Sequence, residues 1–233
     1  VSAAPYASLN LGDHVGDDPA LVAANRQIFQ RTIGVPLVFL NQVHGITAVR
    51  VDAATPQAVS ADACVTTQPG VACTIMVADC LPVLFASHGT PAVAAAHAGW
   101  RGLAGQGGFG ILEQTYKLFS APALTGQALL AMETVVWLGP CIGPQAFEVG
   151  AEVRAAFVAH DAQAALMFAP SGNQWLADLA GLARQRLRAL GIAQIYGNDS
   201  SPAWCTVSQP SRFFSHRRDR LSGRMAASIW RAA

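Results

Sequence analysis

Residues 71–102 read VACTIMVADC LPVLFASHGT PAVAAAHAGW RG. Three apolar runs, 71–77, 81–87 and 92–97, are separated by Asp79 and by a Gly89-Thr90-Pro91 turn. Short apolar runs broken by Gly, Pro and Asp are strand-and-turn punctuation. The runs are nearly continuous rather than alternating, which predicts strands covered on both faces. Outward from this stretch, runs 37–40, 46–51 and 61–66 precede it, and runs 135–138, 192–196 and 212–215 follow it, all read as strands. Helices are expected over 18–33, with Pro19 in the first turn and Gly34 as the stop, and over 102–119, where glycines weaken the first turn. A helix over 149–160 sets Val153 and Phe157 one turn apart. A longer one over 174–190 aligns Leu176, Leu179, Ala183, Leu187 and Leu190 and stops at Gly191. A terminal helix over 222–231 takes Ser222 as its N-cap. The sum is an α+β or α/β chain with a sheet core and helices outside.

The 233 residues suffice for one large domain or two small ones, with no repeat, low-complexity tract or linker to divide them. Apolar residues make up 52% and charged residues only 12%, which excludes disorder. A net charge of +1 gives no footprint for nucleic acid or an acidic membrane surface. The longest apolar stretch, 71–86, carries Asp79 and Pro82 and falls short of the roughly 20 residues that span a bilayer. No signal-peptide pattern opens the sequence. Five scattered cysteines without a CxxC pair do not read as a disulfide framework or zinc ribbon, and a cytoplasmic location is expected.

Polar residues collect at the ends of apolar runs, where sheet proteins build sites. These places are Asn41-Gln42-Val43-His44-Gly45, Ala78-Asp79-Cys80, His97-Ala98-Gly99-Trp100-Arg101-Gly102 and Phe214-Ser215-His216-Arg217-Arg218-Asp219. His44, Cys80 and His97 form a good zinc donor set that leaves a fourth position open. Nothing in their spacing enforces a shared site, and each also reads as a satisfied core residue. Cys80 equally reads as a nucleophile activated by His97, with Asp79 orienting the histidine or serving as a turn residue. Arg101, leaving a strand between glycines, is placed to meet an anion with its fork of donors, or is a surface residue beside Trp100. The 137–144 loop, rich in Gly and Pro, reads as an ordinary turn or a close backbone approach to a ligand. The 212–219 segment reads as a solvated basic loop or a lid. His14 lies in a polar turn that caps the next helix or approaches the site.

Six stretches together resemble one family: 8–18 (SLNLGDHVGDD), 41–45 (NQVHG), 78–83 (ADCLPV), 97–102 (HAGWRG), 138–144 (LGPCIGP) and 214–219 (FSHRRD) with 222–225 (SGRM). They run in order across nearly the whole chain and identify it as similar to the YfiH family, also called the laccase-domain or polyphenol oxidase family and, more recently, purine nucleoside phosphorylase. The resemblance implies one domain over 1–233, with a layered α/β/β/α fold of mixed sheets similar to thiol-hydrolase toxins. It implies one zinc held by His44, Cys80 and His97. It implies phosphorolysis of adenosine, inosine, guanosine and methylthioadenosine, and deamination of adenosine. It also implies copper-dependent phenol oxidation or editing of peptidoglycan precursors as alternatives. The sequence departs from the family at His216, where many members have Tyr, and near 145–147, where many have a second Cys or a Tyr.

The six histidines include no His-x-His pair, too few for a multicopper oxidase in one chain. Zinc-assisted nucleoside chemistry fits better, although the H-x-E and P-C-x-x-C deaminase signature is absent. On this reading Cys80, His97 and Asp79 are the catalytic group, with Asp79 or His216 moving the proton. Arg101 holds phosphate, and Asn41, His216 and Asp219 contribute to substrate binding. The expected partners are a small nucleoside and phosphate, without nucleic acid or membrane. A metal-binding interaction domain is the non-catalytic alternative.

Overall fold

The computed structural model describes residues 1–122 and 130–232. Two mixed sheets lie at its centre. The first has the order β13-β5-β1-β3, with β1 (Leu37–Asn41), β3 (Val59–Ser60), β5 (Ala72–Val77) and β13 (Met225–Ile229). The second has the order β12-β8-β6-β7-β4-β2, with β2 (Ala48–Arg50), β4 (Ala63–Thr66), β6 (Leu81–Ser87), β7 (Val93–Ala98), β8 (Thr134–Leu138) and β12 (Gln194–Gly197). A small antiparallel sheet joins β9 (Glu148–Val149), β10 (Phe168–Ser171) and β11 (Gln174–Ala177).

The alternation of side chains along each strand explains the continuous apolar runs. On β1, Val38 and Leu40 enter a core between the two sheets with Cys64, Cys73, Ile75, Val77 and Ala95. The neighbouring Leu37 and Phe39 face the other way, with Ala72 and Met76, against Phe29 and Ile33 of α1 (Pro19–Ile33). On the far face of the six-stranded sheet, Val83, Phe85, Ala94 and Ala96 pack with Leu112 and Phe119 of α3 (Ile111–Phe119) and Leu182 and Leu187 of α5 (Leu179–Ala189). The layers therefore run helix, sheet, sheet, helix, as the resemblance implied. No helix among the described residues is long and apolar enough to cross a membrane.

Four elements differ from the sequence expectation. The helix expected over 102–119 is two, α2 (Trp100–Ala104) and α3, because Gly105, Gly107 and Gly108 all take positive φ and turn the chain between them. The helix expected over 174–190 begins only at Leu179. Gly172-Asn173 closes a hairpin in which Ser171 pairs with Gln174, so Leu176 belongs to a strand, and Asp178 caps α5 through the Gly181 N–H. The terminal helix over 222–231 is instead strand β13, antiparallel to β5 from Met225 opposite Val77 to Ile229 opposite Cys73. Pairing with a distant buried strand overrides the helical preference of Met-Ala-Ala. Ser222 is therefore no N-cap; its hydroxyl donates to the Gly223 carbonyl. The 212–215 segment is not a strand, and Ser215 caps the short α6 (His216–Asp219) by accepting from the Arg218 N–H. α4 (Ala151–Val158) falls within its expected range.

Candidate active site

Three polar strand ends converge at one edge of the sheet pair. In the β6–β7 ladder, Pro82 faces His97 and Leu81 faces Ala98, so Cys80 comes up beside Gly99. β1 ends at Asn41, and the loop beyond it carries His44 over from the other sheet. Gln42 anchors that loop. Its side-chain amide donates to the Met76 carbonyl and accepts from the Met76 N–H, both at 2.8 Å. His44 takes a left-handed backbone, with φ of 61°.

Asp62, wholly buried just before β4, organises the cluster. Oδ1 accepts from the His44 N–H at 2.8 Å and the His97 Nδ1 at 2.9 Å; Oδ2 accepts from the Gly45 N–H at 2.7 Å and the Val43 N–H at 3.3 Å. The Asp62 carbonyl also accepts the His97 N–H, at 2.7 Å. Burial opposes ionisation of Asp62, but the His97 hydrogen bond and the loop N–H groups outweigh it and hold the carboxyl below its usual range. With Nδ1 engaged, His97 keeps Nε2 for a ligand.

One ligand atom each from His44, Cys80 and His97 lie within 4.8 Å of one another. Cys80 Sγ is 3.7 Å from His44 Nε2, and the two imidazoles stand edge to face at 4.7 Å. Gly99 permits this approach: a Cβ there would stand 3.0 Å from His44 Cδ2 and 3.1 Å from Cys80 Sγ. Burial disfavours the Cys80 thiolate, but the His97 charge and hydrogen bonds from both histidines lower the thiol to about 6. Burial likewise disfavours the His97 cation, yet Cys80 and Asp62 raise it to about 9. Two imidazoles, a ready thiolate and a carboxylate behind one histidine form a group that could hold a metal ion. Among the described residues this is the single group of three or more potential ligands, so a multicopper arrangement finds no second ligand set there.

A cavity of about 450 Å³ opens over the group. Arg101 and His216 line it, both exposed, with the Arg101 guanidinium 4.7 Å over the Trp100 ring. Asp79 lines it too, but both its oxygens are engaged, by the Thr206 hydroxyl and the Arg217 N–H at 2.6 Å each. Its carbonyl accepts from the Ile142 N–H at 2.8 Å, which ties the 137–144 loop to the cavity wall. Asn41 and Asp219 are not brought to the cavity. Asn41 is exposed and donates to the Ser60 hydroxyl, and Asp219 pairs with Arg218 at 2.6 Å. Sequence reasoning assigned no role to Asp62, Gln42, Arg220 or Arg224, of which the last three line the cavity. Asp62 left one signal: a lone carboxylate inside the apolar run 61–66 is costly to bury unless it is paired.

A family model described as "Multi-copper polyphenol oxidoreductase laccase" matches residues 1–232. A purine nucleoside phosphorylase of Pseudomonas aeruginosa is 48% identical over 232 residues, covering 99% of this chain and 88% of that one. The purine nucleoside phosphorylase YfiH of Escherichia coli is 47% identical, covering 99% of this chain and 89% of its own length. A crystal structure of a Neisseria meningitidis protein superposes with a TM-score of 0.89 at 44% identity, covering 100% of this chain and 90% of that one.

Proposed function

The chain belongs to the family described as multi-copper polyphenol oxidoreductase laccase, and from that premise we propose that it is a zinc-dependent purine nucleoside phosphorylase that also deaminates adenosine. The observation that carries the reading is one cavity with a His-Cys-His group and an excess of cationic side chains on its walls. His44, Cys80 and His97 would hold the ion, which supplies a Lewis acid at its open position when bound. Asp62 orients His97 and fixes the loop that carries His44. In phosphorolysis a phosphate oxygen attacks the anomeric carbon, the bond to the purine nitrogen breaks, and the leaving base takes up a proton. His216 is the better donor for that proton, because Asp79 spends both oxygens on Thr206 and Arg217. Arg101 meets the phosphate at the rim with a guanidinium that makes no ion pair among the described residues. Adenosine, inosine, guanosine and methylthioadenosine are the proposed substrates, and a cytoplasmic setting keeps the unpaired Cys80 reduced. Chromatography of products from adenosine, inosine and methylthioadenosine, with and without phosphate, tests the reading. Phosphate-dependent release of free base is expected, and its absence for all three nucleosides overturns it.

A second reading is favoured by one feature: Cys80, His97 and Asp62 stand in the order of a thiol-hydrolase triad, which would cleave an amide such as a peptidoglycan precursor. Iodoacetamide separates the two. As a ligand, Cys80 should label slowly in the zinc-loaded protein and much faster after chelation, as read by mass spectrometry. Rapid labelling that chelation leaves unchanged would favour the hydrolase.

A further inference from the structure

The 8–18 stretch matches the family motif but has no part in the chemistry above. Its centre, Asn10, is wholly buried. Asn10 Oδ1 accepts from the Gly12 N–H at 2.9 Å and the Arg224 N–H at 2.8 Å. Its Nδ2 donates to the Gly12 carbonyl at 3.1 Å and to Asp17 at 2.9 Å, and its carbonyl accepts from the buried Asn25 at 2.8 Å. The Leu11 N–H donates to the Arg224 carbonyl at 3.0 Å, so both backbone polar groups of Arg224 are held by this turn. The Arg224 stem then runs across Gly12, where a Cβ would stand 2.7 Å from Arg224 Cγ. Residues 10–12 of the segment thus hold the Arg224 backbone and flank its stem.

That arginine is half-buried and lines the cavity. NH1 donates to the Ser222 and Gly223 carbonyls at 2.9 and 3.1 Å, which fixes the plane of the guanidinium and leaves Nε and NH2 without a partner among the described residues. Among the described residues Arg224 forms no ion pair within 4.0 Å, whereas Arg26 has Asp13 and Arg218 has Asp219. Arg217, on the same wall, spends NH1 on the Ala146 and Glu148 carbonyls. Burial disfavours the Arg224 cation, against the pull of Cys80 and Asp79. A fixed guanidinium with two free donor nitrogens, partly out of water and unpaired, is a site for a tetrahedral oxyanion.

We infer that Arg224, aligned by Asn10 across Gly12, is the inner phosphate-binding residue of the cavity. The inference rests on the phosphorolysis reading, and it moves the principal phosphate contact from the exposed Arg101 to a preorganised arginine. The same chemistry would fit the phosphoryl group of a nucleotide, so the test carries both ligands.

Zinc-loaded wild type, Arg224→Gln, Arg224→Lys and Arg101→Gln are compared by calorimetric titration with inorganic phosphate and with adenosine 5′-monophosphate, and by steady-state kinetics. Arg224→Gln should weaken phosphate binding and raise the phosphate KM by about tenfold or more, the scale of losing charge-assisted hydrogen bonds. The nucleoside KM should stay within about twofold, a split that general damage to the fold would not give. Arg224→Lys should recover only part of the loss, since a point charge lacks the fork. Arg101→Gln should cost less than Arg224→Gln. Unchanged phosphate binding and phosphate KM in both Arg224 variants, with phosphorolysis intact, would overturn the inference and leave the phosphorylase reading standing. Loss of phosphate binding in Arg224→Gln in a protein that never phosphorolyses nucleosides would uphold the subsite and overturn that reading. Tight binding of the monophosphate through Arg224, without binding of free phosphate, would overturn the assignment to phosphate. If Arg224→Gln does not fold, phosphate binding to Arg224→Lys decides the matter: wild-type affinity there overturns the inference.

Discussion

Asp62→Ala is expected to lower the stability of the metal-free protein by about 3 kcal/mol or more and to cost most of its zinc affinity. The carboxylate is wholly buried and accepts from four donors: the N–H groups of Val43, His44 and Gly45, and His97 Nδ1. Alanine leaves all four without their acceptor, and each buried donor left unmade costs about 1–3 kcal/mol. Val43 and His44 are exposed enough for water to recover part of this, so the sum is less than four full penalties. For a chain of this size the loss corresponds to a fall in melting temperature of roughly 10 °C. Asp62→Asn keeps the shape but removes a charge that helps raise His97, and it turns an amide NH2 toward one of the two donor pairs, so one pair still loses its acceptor. Zinc affinity there should drop about 10–100-fold, the usual consequence of losing a carboxylate behind a ligating histidine. Because the Asp62 pKa is depressed in the folded state, its stabilising contribution is present above its unfolded value and is lost as pH falls through the folded one. Competition with a chromophoric chelator and thermal melting measure both effects. Wild-type zinc affinity with an unchanged melting temperature in Asp62→Ala would deny Asp62 its organising role.

Why the sequence hid Asp62 while revealing the sheets is a matter of locality. Strands β4, β5 and β7 were legible because each is buried on both faces along its whole length, and continuous apolar runs record that directly. β13 was not, because Met225–Ile229 becomes a strand only through pairing with Val77–Cys73, some 150 positions earlier in the chain. The Gly172-Asn173 hairpin carried a readable local signal, but the leucine stripe beyond it masked that signal. At the site, the motif resemblance grouped His44, Cys80 and His97, while spacing alone left them as three unrelated residues. Asn41 and Gln42 show a finer limit. Neighbours in an extended chain point to opposite sides, and it is Gln42 that lines the cavity while Asn41 turns to Ser60. Arg224 was visible within a matched motif, but its placement depends on Asn10, 214 residues away, and on the absence of a Cβ at Gly12.

Zinc affinity is expected to rise steeply with pH, by about tenfold per unit between about 6 and about 9. The direction follows from the ionic state of the metal-free triad. Cys80 is lowered to about 6 and His97 is raised to about 9, so between these values the site holds a thiolate beside an imidazolium. A thiolate is ready to ligate, but an imidazolium is not, and His97 must give up its proton before Nε2 can bind. One proton therefore leaves with each ion bound across this window, and the affinity gain over its roughly three units is about a thousandfold. Above about 9 that proton is already gone and the dependence should flatten. Below about 6 the Cys80 thiol must also be deprotonated, and the slope should steepen further. Chelator competition at a series of pH values gives the slope, and proton release in weak buffer gives the count directly. An affinity that stays level from pH 7 to 9 would mean that His97 is already neutral in the metal-free protein. Asp62→Asn sharpens the test. Removing the carboxylate that helps hold the His97 proton should move the upper break to lower pH while lowering the plateau affinity, because the same hydrogen bond that makes His97 a stronger ligand also makes it a stronger base.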